Sequence, residues 1–319
     1  MKAIVQDSYG SADTLRVADV DKPVPEGGEL LVRVHAAGAG PDVWHLMKGE
    51  PRVARLVLGV RKPKVRVRGW DVAGRVEAIG TEVAGFRPGD EIFGICDGSF
   101  AEYARVRTDR CARKPENLTF EQAAAVPISG STALQAVGGR ISAGRKVLVI
   151  GAAGGVGTYA VQLAKALGAD VTGVCSTSKT ELVRSIGADH VIDYTREDFA
   201  DRKCYDLIVD TAGNRSLAHL RRALEPGGTA VIVGGEGGGR WFGDMPRTLR
   251  AQVTSPFSRR KVRGLVARVR DRDLAELRTF IEDGKVTPVI DRTYKLEDAP
   301  DAIRYWETEH TRGKVVITV

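Results

Sequence analysis

A cluster of glycines at residues 151–157, GAAGGVG, has the clearest chemical meaning in the sequence. It lies between a short apolar run and a segment whose apolar residues recur at helical spacing. In such a strand–turn–helix unit, Gly151 permits a tight turn, Gly154 lets the backbone approach a pyrophosphate, and Gly157 lets the helix pack closely on the strand. The helix N-terminus then offers N–H groups and a positive dipole end to phosphates.

The cluster therefore predicts a dinucleotide-binding loop. Its spacing is GxxGxxG, one residue longer than GxGxxG between the first two glycines, so the loop need not follow the usual path. The predicted contacts in and near this loop are Gly151, Gly154, Gly155, Val156 and Gly157, with Gly234 at the end of a later strand.

The residues that follow the second predicted strand carry no carboxylate. Enzymes that use NAD place an Asp or Glu there, which accepts from the ribose 2′-hydroxyl. This chain has Ser176 and Lys179 instead, a hydroxyl donor and a positive charge that suit the extra phosphate of NADP(H). In the alternative interpretation Ser176 caps the next helix and Lys179 is solvated, and the two roles are compatible because an N-cap also attracts anions. NADP(H) is the predicted cofactor.

Alternating strand and helix patterns surround the glycine cluster from about residue 119 onward. The strands are short and apolar without polar alternation, which is typical of a parallel sheet covered on both faces. We therefore predict an α/β fold with a doubly wound parallel sheet of the Rossmann type. Its strands are predicted at 147–151, 170–175, 190–194, 206–212, 228–235 and 261–269, and its helices at 156–169, 179–188 and 216–224.

Residues 1–118 have a different pattern, with short strands separated by Gly and Pro turns. The clearest strands are ELLVRVHAAG (29–38) and DVAGRVEAIG (71–80). Near the other end of the chain, a helix is predicted at 273–284. The final apolar strand, GKVVITV (313–319), is expected to return to the N-terminal region.

Length and composition restrict the class of protein. The chain has 319 residues, of which 43% are hydrophobic and 28% charged, as expected for a globular protein with room for two domains. No basic-then-apolar leader is visible and no apolar run approaches the roughly 18 residues that span a bilayer, so we expect a cytoplasmic protein without an integral membrane segment. The four cysteines are widely spaced and are expected to be small buried hydrophobes, without disulfides or structural zinc.

The net charge of +7 is concentrated in two basic stretches, residues 52–68 and 247–263. Such stretches can bind nucleic acid, a membrane surface or an anionic cofactor, and the favoured interpretation is a solvated face. No zinc finger, RNA-recognition signature or aromatic-interleaved basic motif accompanies them. We therefore predict no nucleic-acid partner.

Seven segments, in order along the chain, resemble the medium-chain dehydrogenase/reductase superfamily, specifically its zinc-free quinone-oxidoreductase-like branch. The resemblance covers nearly the whole chain and implies a GroES-like β-rich catalytic domain, residues 1–118 plus 269–319, into which a Rossmann NADP(H)-binding domain, residues 119–268, is inserted. It also implies a homodimer. The segments are GWDVAGRVEAIG (69–80), RPGDEIFGI (87–95), GSFAEYARV (98–106), AAAVPISGSTALQAV (123–137), KVLVIGAAGGVGTYAVQLAKALGA (146–169), ALEPGGTAVIVG (223–234) and GKVVITV (313–319).

The resemblance also bears on metal and cofactor. Zinc-dependent members ligate the metal with a cysteine and with a histidine of a GHE motif, where this chain has Gly40 and Trp70. Without those ligands no Lewis acid is available, so we predict a metal-free enzyme that delivers hydride to an electron-poor acceptor. The family pattern assigns the nicotinamide contact to Thr132 and adds Tyr194 to the 2′-phosphate site.

Quinone reductases of this branch often have asparagine where Gly40 stands, so polar contact with the acceptor must come from elsewhere. Asp42 and His45 are the nearest candidate catalytic residues, although a helix histidine without a role fits the sequence equally well. The leading hypothesis is a zinc-independent, NADPH-dependent oxidoreductase that reduces a small-molecule acceptor, either a quinone or an α,β-unsaturated carbonyl. Two alternatives stay open: an enoyl-thioester reductase that uses the basic stretches for docking, and a catalytically weak NADPH-binding interaction protein.

Overall fold

A computed structural model describes residues 1–201, 204–234, 245–254 and 258–319. The chain forms two compact units. The β-rich unit comprises Met1–Ser131, Val269–Glu282 and Pro288–Val319, and the α/β unit comprises Thr132–Arg268 and Asp283–Thr287. The sequence predicts a catalytic domain of residues 1–118 plus 269–319 and a cofactor domain of residues 119–268. These domain boundaries remain a prediction.

The β-rich unit begins the chain and also ends it. Its elements in the first part of the chain are β1 (Lys2–Gln6), β2 (Leu15–Asp19), β3 (Glu29–Ala39), α1 (Pro41–Lys48), α2 (Arg55–Leu58), β4 (Asp71–Ile79), β5 (Glu91–Ile95), β6 (Tyr103–Arg107), β7 (Cys111–Arg113) and α3 (Phe120–Ala124), followed by α4 (Pro127–Val137) at the junction of the units. The α/β unit continues with β8 (Lys146–Ile150), α5 (Gly155–Ala166), β9 (Asp170–Cys175), α6 (Thr180–Ser185), β10 (His190–Asp193), β11 (Tyr205–Asp210), α7 (Leu217–Ala223), β12 (Leu224–Ile232), α8 (Met245–Thr254) and β13 (Lys261–Gly264). The last elements are α9 (Asp271–Glu282), β14 (Ile290–Lys295), α10 (Ala299–Thr308) and β15 (Lys314–Thr318).

The α/β unit is built on a parallel sheet in the order β10-β9-β8-β11-β12-β13. In order of appearance along the chain this is 3-2-1-4-5-6, the order of a dinucleotide-binding Rossmann fold. The central strands are buried along almost their whole length, which explains why they are apolar at successive positions. The predicted fold class is confirmed.

Two predicted strands have different ends in the structure. The strand expected at 228–235 begins earlier, at Leu224, because an irregular pair with Tyr205 precedes the regular ladder. Its predicted last residue, 235, lies outside the described residues. The strand expected at 261–269 ends at Gly264, because the ladder with its neighbour β12 ends at the pair Ile232–Gly264.

Helix α5 is buried on more than the single face that helical periodicity predicts. Every residue from 157 to 164 is buried, including Thr158 and Gln162. The amide of Gln162 makes two hydrogen bonds with the backbone of Thr287, donating at 3.0 Å and accepting at 2.8 Å. Thr287 therefore contacts a side of α5 that a local pattern could not identify.

The β-rich unit is organised around β3, which pairs with three strands. Its sheet has the order β14-β15-β3-β4-β5-β7, and β6 also pairs with β3. Strand β15 is antiparallel to β3, so the C-terminal strand returns to the N-terminal region as predicted. The helical pattern after residue 118 is split into α3, which begins with a capping box between Thr119 and Gln122, and α4, which begins at Pro127.

The cysteines are free thiols. Cys96, Cys111 and Cys175 are buried, as expected, and Cys204 is half-buried. Burial raises the pKa of Cys111 to about 12 and that of Cys175 to about 11, so both stay protonated near neutral pH. None of the helices in the described ranges combines the length and the apolar character that crossing a membrane requires.

Candidate functional site

The glycine cluster forms the turn between β8 and α5, and two of its glycines are required by the backbone itself. Gly151 has a φ of +79°, and a Cβ there would lie 2.4 Å from Thr211 Oγ1. A Cβ at Gly157 would lie 2.0 Å from the carbonyl oxygen of Gly151, so the first turn of α5 packs directly on the loop. At Gly154, φ is −83° and a Cβ would make only an ordinary contact of 3.4 Å. Gly154 is not required by the protein's own packing, and its missing side chain leaves space beside the helix N-terminus.

This turn lies at the carboxyl edge of the sheet, where the strand order reverses. The chain continues from β8 to β9 on one side, and β11 lies on the other. Ligands of open α/β sheets bind at such reversal points. Thr211, the first residue after β11, donates its hydroxyl to the carbonyl oxygen of Ile150 at 2.8 Å and so holds the start of the loop. Gly234 lies at the same edge, where a Cβ would be 3.5 Å from the carbonyl oxygen of Thr211.

Asp210 ends β11 and is fully buried. Its carboxylate accepts from the backbone N–H of Gly213 at 3.0 Å and from Arg247 Nη2 at 2.8 Å. Arg247, from the second basic stretch, thus has a structural ion pair instead of a solvated position. The sequence analysis did not identify Thr211 or Asp210, although polar residues that end an apolar strand were a usable signal.

The three residues predicted for the 2′-phosphate also lie at the carboxyl edge. Ser176 directly follows β9, and Tyr194 directly follows β10, whose last residue pairs with the last residue of β9. Ser176 precedes a short 3₁₀ turn that ends at Lys179, and its side chain makes no capping hydrogen bond, so the alternative capping role is not observed. Ser176 and Lys179 are half-buried, and Tyr194 is 46% exposed.

A carboxylate missed by the sequence analysis lies beside these residues. Asp193 ends β10, which pairs with β9. Hydrogen bonds from the hydroxyls of Thr177 and Thr195 hold the pKa of Asp193 below its usual range. The backbone N–H of Thr195 donates to the same carboxylate at 3.0 Å. Both carboxylate oxygens are thus engaged within this turn.

A buried ion pair lies in the β-rich unit. Lys314, the first residue of β15, donates to Asp71 Oδ2 at 2.8 Å, and their side chains are 4% and 0% exposed. Strand β3 separates β15 from β4, and a Cβ at Gly38 would lie 2.7 Å from Asp71 Oδ2, so the pair forms across a glycine. Asp71 Oδ1 accepts from the backbone N–H of Ile128 at 2.9 Å, in the first turn of α4. A charged residue directly before the apolar residues of each strand was the sequence signal for this pair.

Asp42 belongs to the same cluster. It lies in the first turn of α1, and its Oδ2 is shielded from solvent without a hydrogen-bond partner among the described residues. Burial raises the pKa of Asp42 to about 6, because the positive charge of Lys314 only partly offsets the effect and the negative charge of Asp71 adds to it. The carboxylates of Asp71 and Asp42 in turn outweigh the burial of the ammonium and raise the pKa of Lys314.

The other candidates in the β-rich unit are less enclosed. His45 is exposed on α1, with Nδ1 3.0 Å from the carbonyl oxygen of Glu50. A Cβ at Gly40 would lie 3.0 Å from Asp42 Oδ1 and 3.6 Å from Lys314 Nζ. Trp70 is half-buried, and its Nε1 donates to Asp97 Oδ1 at 3.2 Å.

The predicted site residues therefore fall into two sets. Asp42 and His45 lie on one helix of the β-rich unit. The glycine-loop and 2′-phosphate residues lie at the carboxyl edge of the α/β sheet. Thr132 is a buried residue of α4, 7% exposed, at the first position of the α/β unit. Among the residues that the structure describes, no three His, Cys, Asp or Glu side chains are grouped as metal ligands would be.

We expect the two carboxylates near Lys314 to respond differently to neutralisation. Asp71→Asn removes the carboxylate that is hydrogen-bonded to the buried ammonium of Lys314 and should lower the free energy of unfolding by about 3–5 kcal/mol. Asp42 has a raised pKa in the folded state, so its ionisation weakens the folded protein as pH rises through about 6. Asp42→Asn should therefore gain stability relative to the natural protein between pH 4.5 and pH 8, by on the order of 2 kcal/mol.

Urea unfolding of both variants and the natural protein across that pH range measures these differences. A stability difference for Asp42→Asn that stays constant with pH would contradict the raised pKa. A cost for Asp71→Asn below about 1 kcal/mol would contradict the role of the ion pair.

Comparison with known proteins agrees with this architecture. Residues 26–116 match the family Alcohol dehydrogenase GroES-like domain, and residues 186–317 match the family Zinc-binding dehydrogenase. The chain is 34% identical to an NADPH-dependent alkenal/one oxidoreductase, chloroplastic, of Arabidopsis thaliana, over 99% of this chain and 79% of that protein. It is 30% identical to the quinone oxidoreductase of Sus scrofa, over 98% and 95% of the two chains.

Solved structures give the same result. The quinone oxidoreductase from Coxiella burnetii superposes with a TM-score of 0.86 at 29% identity, over 100% of this chain and 99% of that one. A mycobacterial protein solved in complex with NADPH superposes with a TM-score of 0.83 at 27% identity, over the full length of both chains. The predicted family is confirmed: the chain is an oxidoreductase that belongs to the quinone-oxidoreductase-like branch of the medium-chain dehydrogenase/reductase superfamily.

Proposed function

We propose that this oxidoreductase transfers hydride from NADPH to a quinone or an α,β-unsaturated carbonyl and needs no metal ion. The observation that carries the proposal is the carboxyl edge of the α/β sheet, where Gly154 precedes the N-terminus of α5 although a Cβ would fit there without a clash, and where Ser176 and Lys179 follow β9. The names of the alkenal/one and quinone oxidoreductase relatives support the two acceptor classes. A homodimer and a cytoplasmic location stay predictions.

NADP(H) is the cofactor, as one relative's name and the NADPH-bound structural neighbour support. The residues present fit it, because Gly154 leaves room that the fold does not use and the first turn of an α-helix has N–H groups without intrahelical partners. When bound, NADPH supplies the hydride. The residues that would hold it are Gly151, Gly154, Gly155, Val156, Gly157 and Gly234 at the pyrophosphate, Ser176, Lys179 and Tyr194 at the 2′-phosphate, and Thr132 at the nicotinamide.

The proposal of a metal-free reaction rests on the surroundings of Gly40. Glycine itself offers no ligand, and any side chain placed there would approach the buried ammonium of Lys314. Trp70, the second residue aligned with the metal site of the zinc enzymes, has no lone pair for a metal to bind.

The acceptor class and the metal proposal can be tested together. We expect the purified protein to oxidise NADPH with quinones or enones, to keep that activity in a chelator, and to contain no stoichiometric zinc by elemental analysis. One equivalent of tightly bound zinc, with activity lost on its removal, would overturn the metal-free mechanism. Activity only with enoyl-CoA substrates would favour the thioester reductase, and NADPH binding without turnover would favour the interaction protein.

We further propose that Asp42 or His45 contacts the acceptor. If the carboxyl of Asp42 supplies the proton, kcat/KM should fall as pH rises through about 6, because the carboxyl loses its proton there. That fall should be absent in Asp42→Asn. His45→Ala reports on the exposed imidazole, whose loss should lower kcat/KM without changing the pH at which activity falls. If both variants keep the kcat/KM and the pH profile of the natural protein, neither residue assists the reaction.

We expect a preference for NADPH over NADH that depends on Lys179 and Ser176. A charge-assisted hydrogen bond from Lys179 to the 2′-phosphate should contribute roughly 1.5–3 kcal/mol, or about ten- to a hundredfold in affinity. Lys179→Ala should therefore weaken NADPH much more than NADH, and added salt should narrow the gap. Combining it with Ser176→Asp should invert the preference.

Dissociation constants for the two cofactors, measured by calorimetry, test this expectation. Lys165→Ala is a matched control, because its ammonium pairs with Asp189 on the same unit. Equal dissociation constants for NADPH and NADH in the natural protein would contradict the proposed role of Ser176 and Lys179 in binding the 2′-phosphate.

A further inference from the structure

The first basic stretch, residues 52–68, exposes aliphatic side chains together with charge. Leu56 and Val57 of α2 are 72% and 74% exposed, and Val60, just beyond that helix, is 66% exposed. Single exposed aliphatic residues are common on protein surfaces, but three within five positions form a cluster. We call residues 56–64 the aliphatic–basic surface.

The charge on this surface has one sign. Residues 52–68 contain seven Arg and Lys residues and no Asp or Glu. Arg66 forms an ion pair with Asp7 at 2.6 Å, which partly neutralises it. Arg61, Lys62 and Lys64 are exposed, and no carboxylate in the described ranges forms an ion pair with any of them. These three cations are available to an external anion.

The surface is held in place by the body of the β-rich unit. The hydroxyl of Tyr9 donates to the carbonyl oxygen of Gly59 at 2.8 Å. Arg55 donates to the carbonyl oxygens of Gly49 and Lys48, both at 2.9 Å. Gly59 has a φ of +120°, and a Cβ there would lie 2.1 Å from the carbonyl oxygen of Lys62, so only glycine allows this turn. The aliphatic side chains are thus presented by an anchored turn.

We propose that the aliphatic–basic surface docks on a membrane that contains anionic phospholipids. Leu56, Val57 and Val60 can enter the boundary between headgroups and acyl chains, as the apolar faces of peripheral proteins do. Arg61, Lys62 and Lys64 lie within a few residues of them and can contact lipid phosphates. Each basic residue near an anionic leaflet strengthens binding by about fivefold, so three of them suit a reversible attachment.

The same features disfavour other occupants of this surface. A second copy of the chain, paired through this surface about a twofold axis, would place like charges against each other. Single-stranded nucleic acid is bound by cations interleaved with aromatic side chains on which bases stack, and residues 52–68 contain no aromatic residue. An acidic carrier protein would match the charge of this surface, but its acidic side chains would not account for the three exposed aliphatic side chains.

Sedimentation with vesicles tests the proposal on the full-length protein without cofactor or acceptor, so its outcome is independent of the proposed reaction. We expect binding to vesicles of phosphatidylcholine mixed with phosphatidylglycerol, and much weaker binding to phosphatidylcholine alone. The variant Arg61→Gln/Lys62→Gln/Lys64→Gln should bind the mixed vesicles about 100-fold more weakly. Leu56→Ser/Val57→Ser/Val60→Ser should lose at least about tenfold, because it removes the inserted surface but no charge.

Two matched controls separate the surface from general properties of the protein. Arg110→Gln/Arg184→Gln/Lys295→Gln removes the same charge from exposed residues elsewhere and should keep nearly full binding. Val24→Ser replaces another aliphatic residue, 72% exposed, and should bind as the natural protein does. Thermal unfolding of each variant confirms that the fold is retained.

Three outcomes would overturn the proposal. One is the absence of binding to the mixed vesicles, and another is equal loss of binding in the two charge variants, which would indicate attraction by net charge alone. The third is a dimer that dissociates in the Leu56→Ser/Val57→Ser/Val60→Ser variant, which would show that a second copy covers the surface.

Discussion

The ion pair between Lys314 and Asp71 connects parts of the β-rich unit that lie far apart in sequence. It joins the first residue of the last strand to the first residue of β4, across Gly38 of the central strand β3. The same carboxylate accepts a backbone N–H at the start of α4. Because both charges are buried, the loss of either partner removes a buried hydrogen-bonded ion pair, which is costly. The pair therefore ties the path of the C-terminal strand to the position of α4.

Asp42 lies beside that pair, and its raised pKa comes mainly from burial. Its burial would favour the neutral acid, and the nearby charges of Lys314 and Asp71 act in opposite directions on it. The result is a carboxyl that changes its protonation state close to physiological pH, which few side chains do. Around glycine at position 40 the side chains of Asp42, Asp71 and Lys314 form a cluster of two carboxylates and one ammonium.

The α/β unit meets a different constraint, which is the close approach of backbone segments. Gly151 and Gly157 are needed because β8, the loop and α5 would otherwise collide, and Thr211 from the adjacent strand holds the loop in place. Gly154 is the exception, since no residue that the structure describes would clash with a Cβ there. A glycine without an internal reason, at a helix N-terminus and at the reversal of strand order, is best explained by a ligand.

The sequence by itself determined the parallel sheet and the glycine turn. Runs of apolar residues such as VLVIG indicate burial on both faces. The positive φ of Gly151 and the close contact between Gly157 and the carbonyl oxygen of Gly151 are local requirements. Tertiary structure decided what depends on distant residues. Lys314 and Asp71 are 243 positions apart, and Asp193 meets Thr177 only because β9 and β10 are neighbours. The buried Gln162 of α5 is hydrogen-bonded to the distant Thr287. Periodicity records the burial of a segment but not its partner, because the partner is chosen when strands pair across the folded sheet.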